Sequence, residues 1–373
     1  MAFRILNLNP KARSSRREEA HLLFSALDCV SRTGVSLLTS AATGLLAQSV
    51  VTLCIAGALT EALNGAEPAK ARPLPLWQAN RAALKERFVQ DEFRIFYSLE
   101  GEAGLTAEQR MDSDHDGVPD KIQNVARQLI AARRLYTEAF KLRHPLESPR
   151  YKERVKFFDV QVTRMPITPG GPKVNGSAGD GIVNYHRPGD PPGGYEVLTI
   201  DLNKDLRHDN LSPAHELFHE FQYGYTLFKN SWFTEGTARW SEYAFRKGVG
   251  KMGAIPKSEA ERKALFGAAY QASSYWNALA EACDKAGTFA LPKDLEEMVY
   301  VGTKQRIIED KRQHGVAFMK ALLEELAVAD HQVSQAEGLD PLDWKEKRQN
   351  DAKNNEVIWD VSQQVFSKFI KNN

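Results

Sequence analysis

Two histidines lie four residues apart in the segment AHELFHEFQ, residues 214–222, and a glutamate directly follows the first. In a helix, His215 and His219 lie one turn apart on the same face, so both imidazoles can reach one metal ion. A catalytic zinc site also needs a third protein ligand and a base for water, and Glu216 is placed to act as that base. The pattern predicts a catalytic metal site, with a solvent-facing helix that carries two unliganded histidines as the alternative.

The segment SWFTEGTARWSE, residues 231–242, favours the catalytic interpretation. Together with His-Glu-x-x-His it resembles the gluzincin metallopeptidases, in which the third zinc ligand is the glutamate of a Trp-Leu-Asn-Glu-Gly-x-Ala-x-Tyr-x-Glu sequence. The matching residues are Trp232, Glu235, Gly236, Ala238, Trp240 and Glu242. The resemblance implies that His215, His219 and Glu235 bind zinc and that Glu216 is the general base.

The distance between the two motifs differs from the family pattern. Fifteen residues, 220–234, separate His219 from Glu235, compared with about 18 or 19 in well-known gluzincins. Glu242 lies seven residues further along and on the same helix face, which makes it the alternative ligand. A role in supporting the zinc ligands is the favoured interpretation of Glu242.

The resemblance also implies two features of substrate binding. The strand predicted at residues 196–203 lines the cleft as the sheet edge to which an extended substrate adds a strand. A tyrosine or histidine from the helical half stabilises the oxyanion of the tetrahedral intermediate. The segment AAYQASSYWNAL supplies Tyr270 and Tyr275. Tyr270 is the favoured residue, and ordinary core packing is the alternative for both.

A second dense motif, DSDHDGVPD, occupies residues 112–120. It places oxygen ligands at every second residue and glycine at the sixth position, as at the start of a calcium loop. The predicted ligands are Asp112, Asp114, Asp116, the Val118 carbonyl and Asp120, directly or through water. Gln123 stands where an EF-hand has glutamate, so the loop more closely resembles the Asp-x-Asp-x-Asp-Gly repeats of secreted bacterial proteins and thrombospondin-type modules. The alternative is a solvated acidic turn.

The composition excludes several classes of protein. The chain has 373 residues, of which 42% are hydrophobic and 26% charged, as in a globular protein. Its net charge of +1, without a long basic block, argues against nucleic acid as a partner. The three cysteines, Cys29, Cys54 and Cys283, are too few for a disulfide framework.

Residues 1–71 are typical of a leader. Basic residues are followed by an apolar run at 35–63 and by Ala-Lys-Ala at 69–71, the spacing that a signal peptidase recognises. Export to the periplasm or the medium is therefore predicted, with any membrane contact confined to the leader. A membrane anchor at 35–63 and a buried core helix are the alternatives.

The remaining chain predicts an α+β fold with a small mixed sheet and zinc-binding helices, followed by an all-helical C-terminal half. Half-buried strands are expected at 92–99, 154–165 and 196–203, a helix at 121–142, and a long surface loop at 166–196. Helical periodicity recurs at 268–282, 316–327 and 359–370. The predicted regions are a leader at 1–71, a catalytic domain at 72–250 and a helical domain at 251–373.

Together these features predict a zinc-dependent hydrolase of peptide bonds in peptide or protein substrates. They resemble a group of predicted secreted bacterial metalloproteases in the gluzincin superfamily, over roughly residues 93–246. One alternative is an inactive relative that binds metal without catalysis, although such a protein does not require Glu216. The other is a calcium-stabilised binding module of the cell envelope, which predicts no zinc.

Overall fold

A computed structural model describes residues 80–166 and 174–372 of the chain. The described residues belong to one compact unit, Leu74–Asn373. The predicted leader lies outside the described residues. Within the described part, no helix is long and apolar enough to cross a membrane.

One mixed sheet of five strands precedes the helix Ser212–Tyr225, which carries the His-Glu-x-x-His motif. The sheet order is β1-β2-β3-β5-β4, with β2, β3 and β5 parallel and the two outer strands antiparallel to their neighbours. The strands are β1 (Glu86–Gln90), β2 (Phe93–Tyr97), β3 (Phe157–Thr163), β4 (Gly176–Tyr185) and β5 (Tyr195–Asn203). The predicted α+β class with a mixed sheet is therefore confirmed.

The two outer strands were not predicted. Asp91 forms the tight turn between β1 and β2 with φ 51°, a conformation that Asp tolerates better than most residues. The prediction of a continuous loop at 166–196 is wrong, because β4 forms a ten-residue strand inside it. The glycines and prolines of this segment indicated a loop, but pairing with β5 forms the strand although it contains three glycines. The register of the pairing shifts between Gly179 and Val183.

The central strands are buried more completely than alternation predicts. All residues of β2 are buried, as are six of the seven residues of β3. The polar face of these strands is held by ion pairs such as that of Arg94 with Asp159, whose Nε and Oδ1 lie 2.7 Å apart. Seven of the nine residues of β5 are buried as well. The expectation of half-buried strands is therefore wrong for β2, β3 and β5, since buried charges such as Arg94 and Asp159 satisfy each other.

Helices pack against the sheet and against one another. The predicted helix at 121–142 is an α-helix followed by a π-helical turn, Leu135–Ala139. The segment 284–315 contains only one short helix, Lys293–Glu296, so the C-terminal half is less helical than predicted. The longer helices are α1 (Asp120–Arg134), α2 (Ser212–Tyr225), α3 (Ser231–Ser241), α4 (Glu259–Phe266), α5 (Ser273–Cys283), α6 (Val316–Glu337) and α7 (Asn354–Asn372).

A single hydrophobic core joins the sheet to the C-terminal helices. Buried residues from β2 to α7 belong to one contiguous cluster, so the core continues across residue 250, where the sequence suggested a domain boundary. Trp232 of α3 stacks on Trp276 of α5, with ring centroids 5.2 Å apart. The Trp232 indole N–H donates to Asn355 Oδ1 of α7 at 2.9 Å. The C-terminal helices thus hold the helix that carries Glu235.

Candidate metal centre

The first of the two metal-site helices, α2, is held by α1 and the π-helical turn that follows it. The Tyr136 ring packs edge-on against Phe218 and Phe221, with both centroid distances 5.2 Å. Gln128 Oε1 accepts a hydrogen bond at 3.2 Å from the backbone N–H of Ala214, which lies in the first turn of α2 and lacks a partner within the helix. These contacts orient the histidine face away from the core.

The second helix, α3, crosses close to α5 at a glycine. A Cβ atom at Gly236 would lie 2.6 Å from Trp276 Cδ1, so a larger residue would push the two helices apart. The stacked Trp232 and Trp276 rings lie at the same crossing. This close packing fixes the position of Glu235, the neighbour of Gly236, against α2.

Two histidines and one glutamate converge between α2 and α3. The Nε2 atoms of His215 and His219 lie 3.2 Å and 3.7 Å from Glu235 Oε2. Ligand atoms of all three side chains lie within 4.8 Å of one another. Two atoms that each lie about 2.0–2.1 Å from a tetrahedral zinc ion are about 3.3 Å apart, so this donor set fits zinc after small adjustments.

The other nitrogen of each imidazole is held by a buried acceptor. His215 Nδ1 lies 2.8 Å from Glu242 Oε1, and His219 Nδ1 lies 2.7 Å from Gln222 Oε1. Gln222 is itself held, because its Nε2 donates to Thr237 Oγ1 at 2.5 Å. Each acceptor holds a proton on Nδ1, so Nε2, the nitrogen that faces Glu235, is the atom of each imidazole that can bind a metal once it loses its own proton. Glu242 contacts the far side of His215, which favours its predicted supporting role.

The carboxylates of Glu235 and Glu242 favour a positive charge at His215. Burial lowers the pKa of His215, but hydrogen bonds to Glu235 and Glu242 outweigh burial and raise it to about 10. Burial would raise the pKa of Glu235, but hydrogen bonds from both histidines hold it well below its ordinary value. Burial raises the pKa of Glu216 against the lowering effect of His219 and His215. A raised pKa suits a carboxylate that must accept a proton near neutral pH.

The cluster of His215, His219 and Glu235, called the candidate metal centre, lies in a cleft with two sides. One side, of about 770 Å³, is called the arginine side; its lining includes Arg207, Arg239, Arg246, Asp209, His215 and Glu242. The other, of about 350 Å³, is called the apolar side; its lining includes Met165, Pro166, Ala178, Tyr223, His219 and Glu235. Val174, Gly176, Glu216 and Tyr270 line both sides, so the predicted base and tyrosine lie where the sides meet.

The sheet edge beside the cleft is β4. The resemblance implied that residues 196–203 form this edge, and the topology corrects that assignment, since β5 lies between β3 and β4. Gly176 at the start of β4 lies against Glu216, and a Cβ atom there would be 2.6 Å from Glu216 Oε1. The glycine therefore lets the edge strand and the predicted base approach each other.

The two tyrosines occupy different environments. Tyr270 is 53% exposed, and its ring centroid lies 5.9 Å from that of His215. Burial and the nearby carboxylate of Glu235 raise the pKa of Tyr270 to about 12, so its hydroxyl stays protonated and can donate a hydrogen bond. Tyr275 is buried, and its hydroxyl lies 3.2 Å from Ser362 Oγ. Tyr275 therefore belongs to the core, whereas Tyr270 borders the cleft.

The acidic loop brings three of its predicted ligands together. Asp112, Asp114 and Asp116 have carboxylate oxygens within 4.8 Å of one another. Gln123 Nε2 lies 3.1 Å from Asp114 Oδ1, 2.8 Å from Asp116 Oδ1 and 3.4 Å from the Val118 carbonyl oxygen. The side-chain amide of Gln123 therefore donates to the same oxygens that the sequence assigned to calcium.

Asp120 has a different role in the acidic loop. Its Oδ1 accepts a hydrogen bond from the Ser113 N–H at 2.8 Å, and it is not among the three converging carboxylates. Gly117 has φ +89°, which supplies the sharp turn expected at the sixth position of such a loop. The structure thus brings four of the five predicted calcium ligands to one place and directs Asp120 to the backbone.

Comparisons of the chain with family models, with curated proteins and with solved structures give no match.

Two residues at the site were absent from the sequence interpretation. Gln222 lies three residues after His219, at a spacing that places both side chains on one face of a helix. This spacing was the signal that could have predicted the contact. Gly176 lies in a glycine-rich segment that offers no local sign of its contact with Glu216.

Proposed function

We propose that this protein is a zinc-dependent peptide-bond hydrolase of the gluzincin type. The strongest support is the convergence of His215 Nε2 and His219 Nε2 on the Glu235 carboxylate, in a cleft that Glu216 also lines. Two imidazole nitrogens and one carboxylate are a donor set of catalytic zinc sites, which keep one position for water or substrate. A structural zinc site has no use for a base such as Glu216.

The chemistry follows from the positions of the side chains. Zinc, when bound, supplies a Lewis acid that lowers the pKa of water and polarises a carbonyl group. Glu216 accepts a proton from the attacking water and returns it to the amine that leaves. Tyr270 donates its O–H to the oxygen that becomes negative at the carbonyl carbon. Glu242 and Gln222 hold the imidazoles in the required orientation.

The substrate in this proposal is an extended peptide or protein segment. β4 is the last strand of the sheet, and the cleft beside it contains Glu216 and Tyr270. A peptide that adds to this edge gains main-chain hydrogen bonds that do not depend on its sequence. Its scissile carbonyl then lies between the two sides of the cleft.

We also propose that the acidic loop binds calcium through Asp112, Asp114, Asp116 and the Val118 carbonyl. Carboxylate and carbonyl oxygens are the ligands that calcium prefers, and Gln123 supplies a further oxygen when its amide turns over. Without a glutamate at position twelve, the expected affinity matches the millimolar calcium found outside cells. Export by residues 1–71 belongs to the same proposal.

The test compares purified wild type with Glu216→Gln for zinc content, melting temperature and hydrolysis of an unstructured protein. Glu216→Gln cannot accept the proton, so hydrolysis should fall by about two to four orders of magnitude while zinc and melting temperature stay near wild type. Glu153→Gln changes an exposed carboxylate that does not line the cleft and should match wild type. Equal hydrolysis by Glu216→Gln would refute the mechanism, and zinc binding without hydrolysis by any form would favour the inactive relative.

A further inference from the structure

The two sides of the cleft differ in charge. Arg207, Arg239 and Arg246 line the arginine side. Among the described residues, no lysine or arginine lines the apolar side, where Met165, Pro166 and other apolar groups lie beside the metal-site carboxylates. Within residues 80–166 and 174–372, the arginines and lysines that line the cleft therefore lie on one flank of the metal centre.

Two of the arginines share one carboxylate. Arg239 Nη1 donates to both Glu242 oxygens, at 2.9 and 3.2 Å, and Arg246 Nη2 lies 3.8 Å from Glu242 Oε2. Glu242 also holds His215, so one negative charge serves two guanidinium groups and an imidazole. The pair therefore carries excess positive charge at the cleft. Arg207 differs, because its Nη2 pairs with Asp209 Oδ2 at 2.7 Å.

Arg246 offers hydrogen-bond donors to the cleft. Its guanidinium lies over the Tyr243 ring, with Cζ 4.6 Å from the centroid, and its side chain is 37% exposed. In the described part of the chain, the Arg246 guanidinium makes no hydrogen bond within the protein. An arginine held in place by stacking, with free donors in a planar fork, matches the geometry of a carboxylate.

The direction of β4 determines which half of a substrate meets these arginines. Asn175, just ahead of β4, lines only the arginine side, whereas Ser177 and Ala178 of β4 line only the apolar side. Antiparallel pairing is slightly more stable per residue than parallel pairing. An antiparallel substrate therefore places its N-terminal half on the apolar side and its C-terminal half on the arginine side.

We propose that Arg239 and Arg246 bind a substrate carboxylate on the C-terminal side of the scissile bond. This selectivity rests on the proposed peptide hydrolysis. The carboxylate has two possible sources, an acidic side chain shortly after the cleaved bond or the C-terminus of a short peptide. Both present the same planar anion to the two guanidinium groups.

The test measures hydrolysis by wild type and binding by Glu216→Gln for one family of neutral peptides. Each peptide has an otherwise neutral sequence, an amidated C-terminus, and Glu, Gln or Lys at one of the three positions after the cleaved bond. A second set compares free with amidated C-termini. A charge-assisted hydrogen bond predicts that Glu, or the free C-terminus, improves binding and kcat/KM by about tenfold or more. The position of the improvement identifies the source of the carboxylate.

Variants separate this contact from a general charge effect. Arg246→Gln should abolish the preference, and Arg246→Glu should favour the Lys peptides, with zinc content and melting temperature confirming that both remain folded. Arg154→Gln removes the same charge from an exposed pair with Glu196, outside the cleft lining, and should keep the preference.

The outcomes distinguish this inference from the proposed function. Hydrolysis of all peptides at equal rates, or a preference for acidic residues before the cleaved bond, would overturn the inference and leave the hydrolase proposal standing. Carboxylate-dependent binding that Arg246→Gln abolishes, without hydrolysis by wild type, would support the arginine contact and overturn the hydrolase proposal.

Discussion

The metal centre and the acidic loop both have regularly spaced ligands in the sequence, but the structure holds those ligands in different ways. His215 and His219 are only 6% and 4% exposed, and each uses its second nitrogen to bind a buried acceptor. Asp114 and Asp116 are exposed, and Gln123 in the first turn of α1 donates to both. Spacing places the ligand atoms in both regions, but burial and outer partners orient them in advance only at the metal centre.

The two regions are also connected through α1. The acidic loop ends where α1 begins, at Asp120, and Gln128 in the middle of α1 accepts from the Ala214 N–H of α2. Order in the loop therefore favours the position of the helix that carries the histidines.

The largest expected effect is the loss of zinc when a ligand is removed. His215→Ala or Glu235→Ala leaves two protein ligands, which is too few for a catalytic zinc site, so stoichiometric zinc should be lost. Asp114→Asn removes a carboxylate from the acidic loop and should retain zinc. Metal analysis after dialysis measures this difference. Full zinc content in Glu235→Ala, with loss in Glu242→Ala, would exchange the roles of the two glutamates.

The next effect concerns the contact of the sheet edge with Glu216. Gly176→Ala introduces a Cβ atom 2.6 Å from Glu216 Oε1, so strand or carboxylate must move. A shift of this kind should lower hydrolysis by about a hundredfold while zinc content is retained. Gly181→Ala is the matched control on β4, because a Cβ atom there meets nothing within 4 Å. Equal activities of the two variants would mean that Gly176 does not position the base.

A smaller effect is expected from the partner of His219. Gln222→Leu removes the acceptor at His219 Nδ1 and frees the imidazole to adopt the wrong tautomer. Zinc affinity should fall by about 10–100-fold, the usual effect of removing such a partner. Gln123→Leu makes the same change in the acidic loop and should leave zinc affinity unaltered. Competition with a chelator of known affinity measures both, and an unchanged affinity in Gln222→Leu would contradict the role of Gln222.

The smallest effect is thermal stabilisation by calcium. With a dissociation constant of about 0.1–1 mM, 1 mM calcium should stabilise the folded protein by about 0.4–1.4 kcal/mol. Removing calcium should therefore lower the melting temperature slightly. Gln123→Glu adds a carboxylate at position twelve and should enlarge the shift. An identical melting curve of Gln123→Glu with and without calcium would leave the loop as an acidic turn.

The sequence contained enough information to find the metal ligands. His215 and His219 face one side of α2 because helical periodicity is a local property, and α2 and α3 form close to where the pattern places them. The three strands with alternating or aromatic-rich sequences, β2, β3 and β5, were found for the same reason. The charged strand β1 and the glycine-rich strand β4 were missed, because each depends on a partner strand.

The tyrosines and Glu242 show where local sequence stops being informative. Tyr270 and Tyr275 lie five residues apart, and only the start of α5 at Ser273 separates them, leaving Tyr270 at the cleft and Tyr275 in the core. Glu235 lies in α3 and Glu242 begins the 3₁₀ turn that follows it, and their roles follow from which nitrogen of His215 each contacts.

The types of the metal ligands and their spacing on the helices could thus be predicted from the sequence, since both depend on residues within one or two helical turns. Contacts between distant segments decided the rest: Gly176 against Glu216, α5 behind Gly236, and the arginines beside the metal centre. These contacts depend on packing between segments that lie tens of positions apart, and no local pattern encodes which of them meet.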